Sequence, residues 1–154
     1  MIPIETTEQL ILQQTIDRFW EIIPPVWNGI KGNLRGMAAE QYDISVEQFH
    51  ILRHIRKGLS SVSELAEVKQ ISRPAVSQAV DVLVDKGLIA RRQDPADRRY
   101  VHLALTPAGD DLLNALFCQN RAWMEARMAA LNAEDLQTIY RGMELLKTAF
   151  IDPD

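Results

Sequence analysis

Four arginines crowd a short segment of this 154-residue chain, at the end of one strand-like pattern and in the loop that leads to the next. They are Arg91, Arg92, Arg98 and Arg99. Like charges this close together raise the folding free energy unless they are solvated, paired or facing a polyanion. Asp94 and Asp97 can pair with two of them and orient a guanidinium group. An arginine held at the tip of a projecting hairpin suits the minor groove of DNA, where the negative potential deepens as the groove narrows.

A second set of polar residues precedes this segment on one face of a helical pattern. It consists of Arg73, Ser77, Gln78 and Asp81. The opposite face repeats apolar residues at helical spacing, at Val76, Ala79, Val80, Leu83 and Val84. Small hydrogen-bonding side chains with an arginine at the helix start suit the major groove, where base edges are read. A solvated helix face is the alternative explanation of the same pattern.

The elements that must position these residues lie within 61–106. Ser61 and Glu64 have capping-box spacing, which predicts the start of a short first helix. Ser72 can cap the second helix, and Gly87 can end it. Strand patterns follow at 88–92 and 100–105, joined by the arginine-rich loop. Two short helices and a hairpin in this order predict a winged helix-turn-helix.

This stretch resembles the DNA-binding core of the MarR family of bacterial transcriptional regulators. The residues that carry the resemblance are Ser63–Ala66, Ser72–Ser77, Lys86–Ile89, Asp94–Arg99 and Leu103–Gly109. One departure is the turn at 68–71, which has no glycine although many members carry one. The resemblance implies a homodimeric, sequence-specific repressor of transcription that is released from double-stranded DNA by a small molecule.

The resemblance and the helix patterns together assign roles to the polar residues. Arg73, Ser77 and Gln78 are predicted to touch major-groove edges or nearby phosphates. Ser61, Ser63 and Ser72 would donate to phosphates from helix starts, where free N–H groups favour anions. Arg98, with Arg99 as the alternate, would enter the minor groove while Asp97 steers it. Arg91 completes the predicted DNA-binding set.

The distribution of charge supports a nucleic-acid partner although the chain carries a net charge of −4. Residues 51–105 contain ten Lys and Arg against six Asp and Glu, while the remainder contains seven against fifteen. A basic middle in an acidic frame would present one surface to phosphate. The length and composition predict one globular domain that is mainly α-helical with a small β-hairpin.

The flanking segments read as long helices. One pattern covers 6–23, Pro24 and Pro25 then break or kink it, and Pro25 can open a second helical segment. A helix follows Ser45, and two more are predicted over roughly 107–130 and after Asn132. We assign 1–40 and 107–154 to dimerisation and 45–106 to the DNA-binding lobe, because the flanking helices carry more apolar surface than one chain can bury. Two recognition helices related by a two-fold axis imply an inverted-repeat operator.

The effector of such regulators is often an aromatic, frequently anionic compound bound between the dimerisation helices and the DNA-binding lobe. The resemblance therefore implies a pocket here. Candidates to line it are Trp20, Trp27, Ile30, Leu34, Arg53 and His54, since aromatic walls with a few polar groups are typical of such sites. The alternative is that both tryptophans pack in the dimer core.

Other functions have weaker support in the sequence. His50 and His54 could chelate a metal, but they share a face that is predicted to be solvated with Glu47, Arg53 and Lys57. Cys118 lies in an apolar stretch that predicts a buried, inert thiol, which argues against redox sensing. A winged-helix protein-interaction module would need an apolar or acidic recognition face, whereas the predicted face here is polar and the wing is basic.

We find no catalytic motif, cofactor motif, signal peptide or membrane span, so we expect a cytoplasmic protein that is not an enzyme.

Overall fold

The computed structural model describes residues 6–94 and 101–152. In chain order the elements are α1 (Thr7–Tyr42), α2 (Val46–Arg56), α3 (Val62–Lys69), α4 (Arg73–Asp85), β1 (Ile89–Gln93), β2 (Val101–Leu105), α5 (Pro107–Met128) and α6 (Ala133–Phe150). The predicted fold class, mainly α-helical with a small β-hairpin, is confirmed. In the described part of the chain, no helix has the length and apolar character needed to span a membrane.

The chain divides into two compact units, Met1–Asn120 and Arg121–Asp154. The first unit contains the hydrophobic core, which joins the end of α1 to α2, α3, α4, the hairpin and the first half of α5. Its fully buried large side chains are Ile44, Ile51, Leu52, Leu65, Val76, Val80, Leu83, Ile89, Leu113 and Leu116. In the second unit, the apolar side chains of α6 are largely exposed.

The predicted helix starts are confirmed by their caps. The Ser45 and Ser61 side chains each accept a main-chain N–H three residues on, and the residue at that position reaches back to complete a capping box. Ser72 caps α4 by accepting from the Ala75 N–H, and Asn132 caps α6 by accepting from the Asp135 N–H. Local side-chain chemistry therefore sets where these four helices begin.

The sequence predicted that Pro24 and Pro25 break or kink the first helix, and of these two outcomes a break with a restart at Pro25 is wrong. One helix runs from Thr7 to Tyr42 with Pro24 and Pro25 inside it. Two adjacent prolines remove two hydrogen bonds, but the ring's φ near −65° still suits a helix. The carbonyls that lose their partners belong to the exposed residues Trp20 and Glu21, where water can solvate them.

The turn between α3 and α4 forms without the glycine that many MarR members carry there. Gln70 takes the left-handed conformation, with φ of 53°, and its N–H bonds the carbonyls of Ala66 and Glu67. A non-glycine residue can occupy this region at a modest cost. The departure from the family pattern therefore leaves the helix-turn-helix geometry in place.

The hairpin is a two-stranded antiparallel sheet in which Ile89 pairs with Leu105 and Gln93 pairs with Val101. Ile89 and Leu103 are buried, which attaches the hairpin to the core. Val101 alternates with Leu103 along β2, yet it is exposed because it lies at the far end of the hairpin, away from the core. Tyr100, the predicted start of the second strand, lies outside the described residues.

Candidate nucleic-acid interface

The N-terminal half of α4 presents the predicted polar face. Val76, Val80 and Leu83 are buried, while Arg73 and Gln78 are exposed and Ser77 is half-buried. Arg73 forms no ion pair with any residue in the described part of the chain. A guanidinium that is not neutralised internally can bind phosphate or a guanine edge. The helix therefore offers a cation and two hydrogen-bonding side chains on one accessible surface.

The start of α3 supplies a second anion-facing helix end, but its serines differ in availability. Ser63 is exposed. The Ser61 hydroxyl already donates to Glu64 Oε2 at 3.0 Å, so a phosphate contact from Ser61 would compete with its capping box. Hydrogen bonds from the Ser60 main chain, and then from Ser61, hold the pKa of the Glu64 carboxyl below its usual range. Glu64 therefore stays anionic to a lower pH than an ordinary glutamate does.

Arg91, one of the predicted DNA-binding residues, forms an ion pair that the sequence did not predict. Its Nη2 lies 2.5 Å from Oδ1 of Asp81, which is on the exposed face of α4. Both side chains are substantially exposed, so the ion pair contributes little stability by itself. It does attach β1 to α4. The sequence pattern had assigned Asp81 only to a polar face and gave no signal for this partner.

The base of the loop holds a second set of contacts, around His102 of β2. Nε2 of His102 lies 2.9 Å from Asp94 Oδ2, and Nδ1 lies 3.3 Å from the Ser60 hydroxyl. The predicted minor-groove residues Asp97, Arg98 and Arg99 lie outside the described residues. No signal in the sequence predicted the contact between Ser60 and His102, because residues 42 positions apart show no local pattern.

A cavity of about 340 Å³ opens in the first unit between α1, α2 and α5. Of the predicted effector residues, Trp27, Ile30, Leu34 and Arg53 line it, whereas Trp20 and His54 do not. Trp20 lies about two helical turns before Trp27 on α1. The remaining wall residues are Lys31, Arg35, Ala38, Val46, Phe49, His50, Phe117 and Asn120.

The cavity wall combines aromatic rings with cations. The Arg53 guanidinium lies 5.7 Å from the Phe49 ring centre and 5.9 Å from that of Phe117, both within cation–π range. Asn33 donates to the buried Asn120 side chain at 2.9 Å. Lys31 and Arg35 add positive charge from α1. Such a wall can hold a flat apolar body and an anionic group at once.

The outer face of α2 is not the solvated surface that the sequence suggested, since His50, Arg53 and His54 are half-buried. Lys69 of α3 covers it, with a side chain only 9% exposed that binds Glu47 at 2.6 Å. Burial, followed by the charge of Lys69, lowers the pKa of His50 and of His54. The same cation would repel a bound metal ion. Among the described residues, no group of three or more His, Cys, Asp or Glu is placed to hold one.

Cys118 is exposed, so the prediction of a buried thiol is wrong. Phe117 beside it is also partly exposed. Phe117 nevertheless faces α2, where its ring centre lies 6.1 Å from that of Phe49. Cys118 lies on the side of α5 that is turned away from the buried Leu113 and Leu116. An apolar stretch in a sequence does not distinguish these two faces when both carry apolar residues.

One further contact joins the end of α4 to the end of α1. Nζ of Lys86, the residue that caps α4, donates to the Asp43 main-chain oxygen at 2.6 Å and to its carboxylate at 2.8 Å. The hydrogen bond from Lys86, and then its charge, lower the pKa of Asp43. Asp43 caps α1 in the left-handed conformation. The ends of α1 and α4 are thereby linked.

Comparison with known proteins agrees with this geometry. Residues 42–99 match the family model described as MarR family. The HTH-type transcriptional repressor MdtR of Bacillus subtilis (strain 168) is 31% identical over 115 residues, which cover 73% of this chain and 74% of that protein. The transcriptional regulator Tm0710 from Thermotoga maritima has the same fold, with a TM-score of 0.78 at 24% identity over 86% of this chain and 94% of that one.

A DNA-bound structure has the same fold as well. Streptococcus pneumoniae FabT in complex with DNA aligns with a TM-score of 0.65 at 22% identity, over 89% of this chain and 98% of that one. The family match covers α2, the helix-turn-helix and β1, and the alignment with MdtR is about twice as long. The chain therefore belongs to the MarR family of DNA-binding transcriptional regulators.

Proposed function

We propose that this protein is a homodimeric repressor that binds an inverted-repeat operator and leaves it when an aromatic anion binds. The observation that carries the DNA-reading part is the accessible polar surface of α4. Arg73 and Gln78 project from its first two turns, opposite a fully buried apolar stripe. This arrangement suits a helix inserted into a major groove. MdtR, the similar protein described above, is named a transcriptional repressor.

Exposed apolar side chains support the homodimer. The N-terminal part of α1 and most of α6 leave large hydrophobic residues in contact with solvent in the single chain. They include Leu10, Ile11, Leu12, Ile16 and Val26 on α1, and Leu136, Tyr140, Met143, Leu145 and Phe150 on α6. Exposed apolar residues in this number on each of the two helices are typical of an interface. A second copy of the chain would cover it and generate two recognition helices related by two-fold symmetry.

Selection of bound sequences from a random duplex library tests the DNA-reading function, with the affinity of the enriched duplex measured at two salt concentrations. We expect an enriched inverted repeat with half-sites about one helical turn apart, and an affinity that falls steeply with salt. Binding without sequence preference would contradict the proposal. Because its ligand would be genomic DNA, we place the protein in the cytoplasm.

Replacing Arg98 with alanine is expected to weaken operator binding by about 1–3 kcal/mol, because the variant loses the proposed minor-groove contact. Fluorescence anisotropy with the enriched duplex measures the change, and circular dichroism checks the fold. Arg141→Ala is a charge-matched control, since Arg141 is an exposed arginine on α6. Equal affinities of the Arg98 variant and the wild type would remove the wing from the interface.

The cavity is the proposed effector site, and benzoate is a suitable probe because it combines an aromatic ring with a carboxylate. We expect benzoate to weaken operator binding. Arg53→Ala should weaken benzoate binding by about 1.5–3 kcal/mol, the cost of a lost charge-assisted hydrogen bond, and so raise the benzoate concentration required for release. Benzyl alcohol and acetate serve as controls for the ring and for the charge alone. Release by acetate at the same concentration, or an unchanged benzoate response in the variant, would contradict this site.

A further inference from the structure

We propose that His102 is a positioning residue that holds the base of the wing against the start of α3, so that the arginine loop reaches DNA flanking the major-groove contacts. This inference rests on the proposed function of reading DNA. His102 is bound on both sides of its ring. Nε2 contacts Asp94 Oδ2 at 2.9 Å, and Nδ1 contacts the Ser60 hydroxyl at 3.3 Å.

A main-chain contact reinforces the same junction. The Leu103 N–H, next to His102, donates to the Ser60 carbonyl oxygen at 2.6 Å. The N–H groups of Ser60 and Ser61 both donate to Glu64 Oε2 at 2.9 Å. Contacts therefore run without interruption from Asp94 through His102 and Ser60 to the first turn of α3. The wing is therefore connected to the helix pair at the start of α3, where Ser61 and Glu64 form the capping box.

The position of this junction explains why it matters for DNA binding. Asp94 is the last described residue before the loop 95–100, and Val101, the residue before His102, follows that loop. His102 thus joins both ends of the loop to α3. A two-stranded hairpin is only marginally stable alone, so its direction depends on such attachments. The Arg91–Asp81 ion pair attaches β1 to α4, so the hairpin is held from two helices.

Histidine suits this role because its two ring nitrogens bind different partners at once. The neutral ring can donate from Nε2 to Asp94 while Nδ1 accepts from the Ser60 hydroxyl, and the protonated ring donates to both. The His102 side chain is 47% exposed and that of Asp94 is 30% exposed. An exposed pair adds little to global stability. Its removal should therefore affect where the loop lies more than whether the protein folds.

The test compares two duplexes made from the selected operator. The long duplex keeps the base pairs that flank the outer ends of both half-sites, and the short duplex lacks them. We expect His102→Ala to raise the dissociation constant about tenfold on the long duplex and less than about twofold on the short one. Gln93→Ala, which changes an exposed neighbour on β1, is the matched control and should bind both duplexes like the wild type.

Two further variants keep the inference falsifiable. Asp94→Asn retains the shape of the side chain but removes its charge, and it should show a smaller loss confined to the long duplex. In an Arg98→Ala background, His102→Ala should cause no additional loss, because the positioned side chain is already absent. A similar loss on both duplexes, additive losses, or no loss on the long duplex would overturn the role of His102.

The design separates this inference from the proposed function. If the wild type binds the selected and the scrambled long duplexes equally, the DNA-reading proposal fails. If it prefers the selected sequence but binds the long and short duplexes equally, α4 reads DNA without the wing. That result overturns the positioning role alone.

Discussion

Replacing Leu83 with alanine is expected to lower the free energy of unfolding by about 2–5 kcal/mol. Leu83 is completely buried on the inner face of α4, where it belongs to the core shared with Leu52 and Leu65. The variant loses the transfer free energy of the buried methyl groups and leaves a cavity that the packed helices fill only in part. Such a loss is a large fraction of the stability of a small protein. Urea denaturation followed by circular dichroism measures it.

Val82 is the matched control on the same helix. Its side chain is 36% exposed, and valine to alanine removes fewer carbons at a solvent-facing position. Alanine also has the higher helix propensity, so we expect a change within about 0.5 kcal/mol. Similar losses in the two variants would contradict the orientation of α4 and would place its polar face away from solvent.

Gly109→Ala is expected to destabilise the protein by about 1–3 kcal/mol, because a Cβ at this position would collide with the main chain. An added Cβ would lie against the Leu88 carbonyl, and Cδ2 of Leu105 would be 3.3 Å away. The surrounding backbone cannot move freely. The Thr106 N–H donates to the same Leu88 oxygen at 3.1 Å, and the Thr106 hydroxyl donates to the Gly87 oxygen at 2.6 Å. Thermal denaturation measures the loss.

Gly32 provides the contrasting substitution. It is an exposed helical glycine with nothing within 4 Å of an added Cβ. Alanine restricts the unfolded chain and favours the helix, so Gly32→Ala should stabilise the protein by about 0.4–1 kcal/mol. An unchanged melting temperature for Gly109→Ala would contradict the close approach of α5 to Leu88. A strong loss in Gly32→Ala would instead indicate that another copy of the chain packs closely at this glycine.

Local rules predicted the helix starts and the core because the residues responsible are close in sequence. Ser45, Ser61, Ser72 and Asn132 act on N–H groups three residues away. The apolar period of α4 also identified its buried side. The long string of residues that resembles the MarR family then identified the fold, although the motif alone did not explain why glycine is needed at 109.

Long-range pairing could not be predicted in the same way. His102 meets Ser60 and Arg91 meets Asp81 only after the hairpin has folded onto the helices. The outer face of α2 looked solvated in the sequence because Lys69, the residue that covers it, lies on another helix. The paired prolines in α1 illustrate the opposite problem. The helix continues through a strong local signal for a break, because water can solvate the two carbonyls that lose their hydrogen-bond partners.

Repeating the random-duplex selection with Gln78→Ala tests most directly that α4 reads the operator. If Gln78 contacts a base edge in the major groove, the variant should enrich the same inverted repeat with its preference lost at one position in each half-site, placed symmetrically. Retention of the wild-type motif at every position, at equal affinity, would contradict base reading by Gln78. Loss of preference at all positions, with the variant still folded, would contradict a contact limited to one base pair.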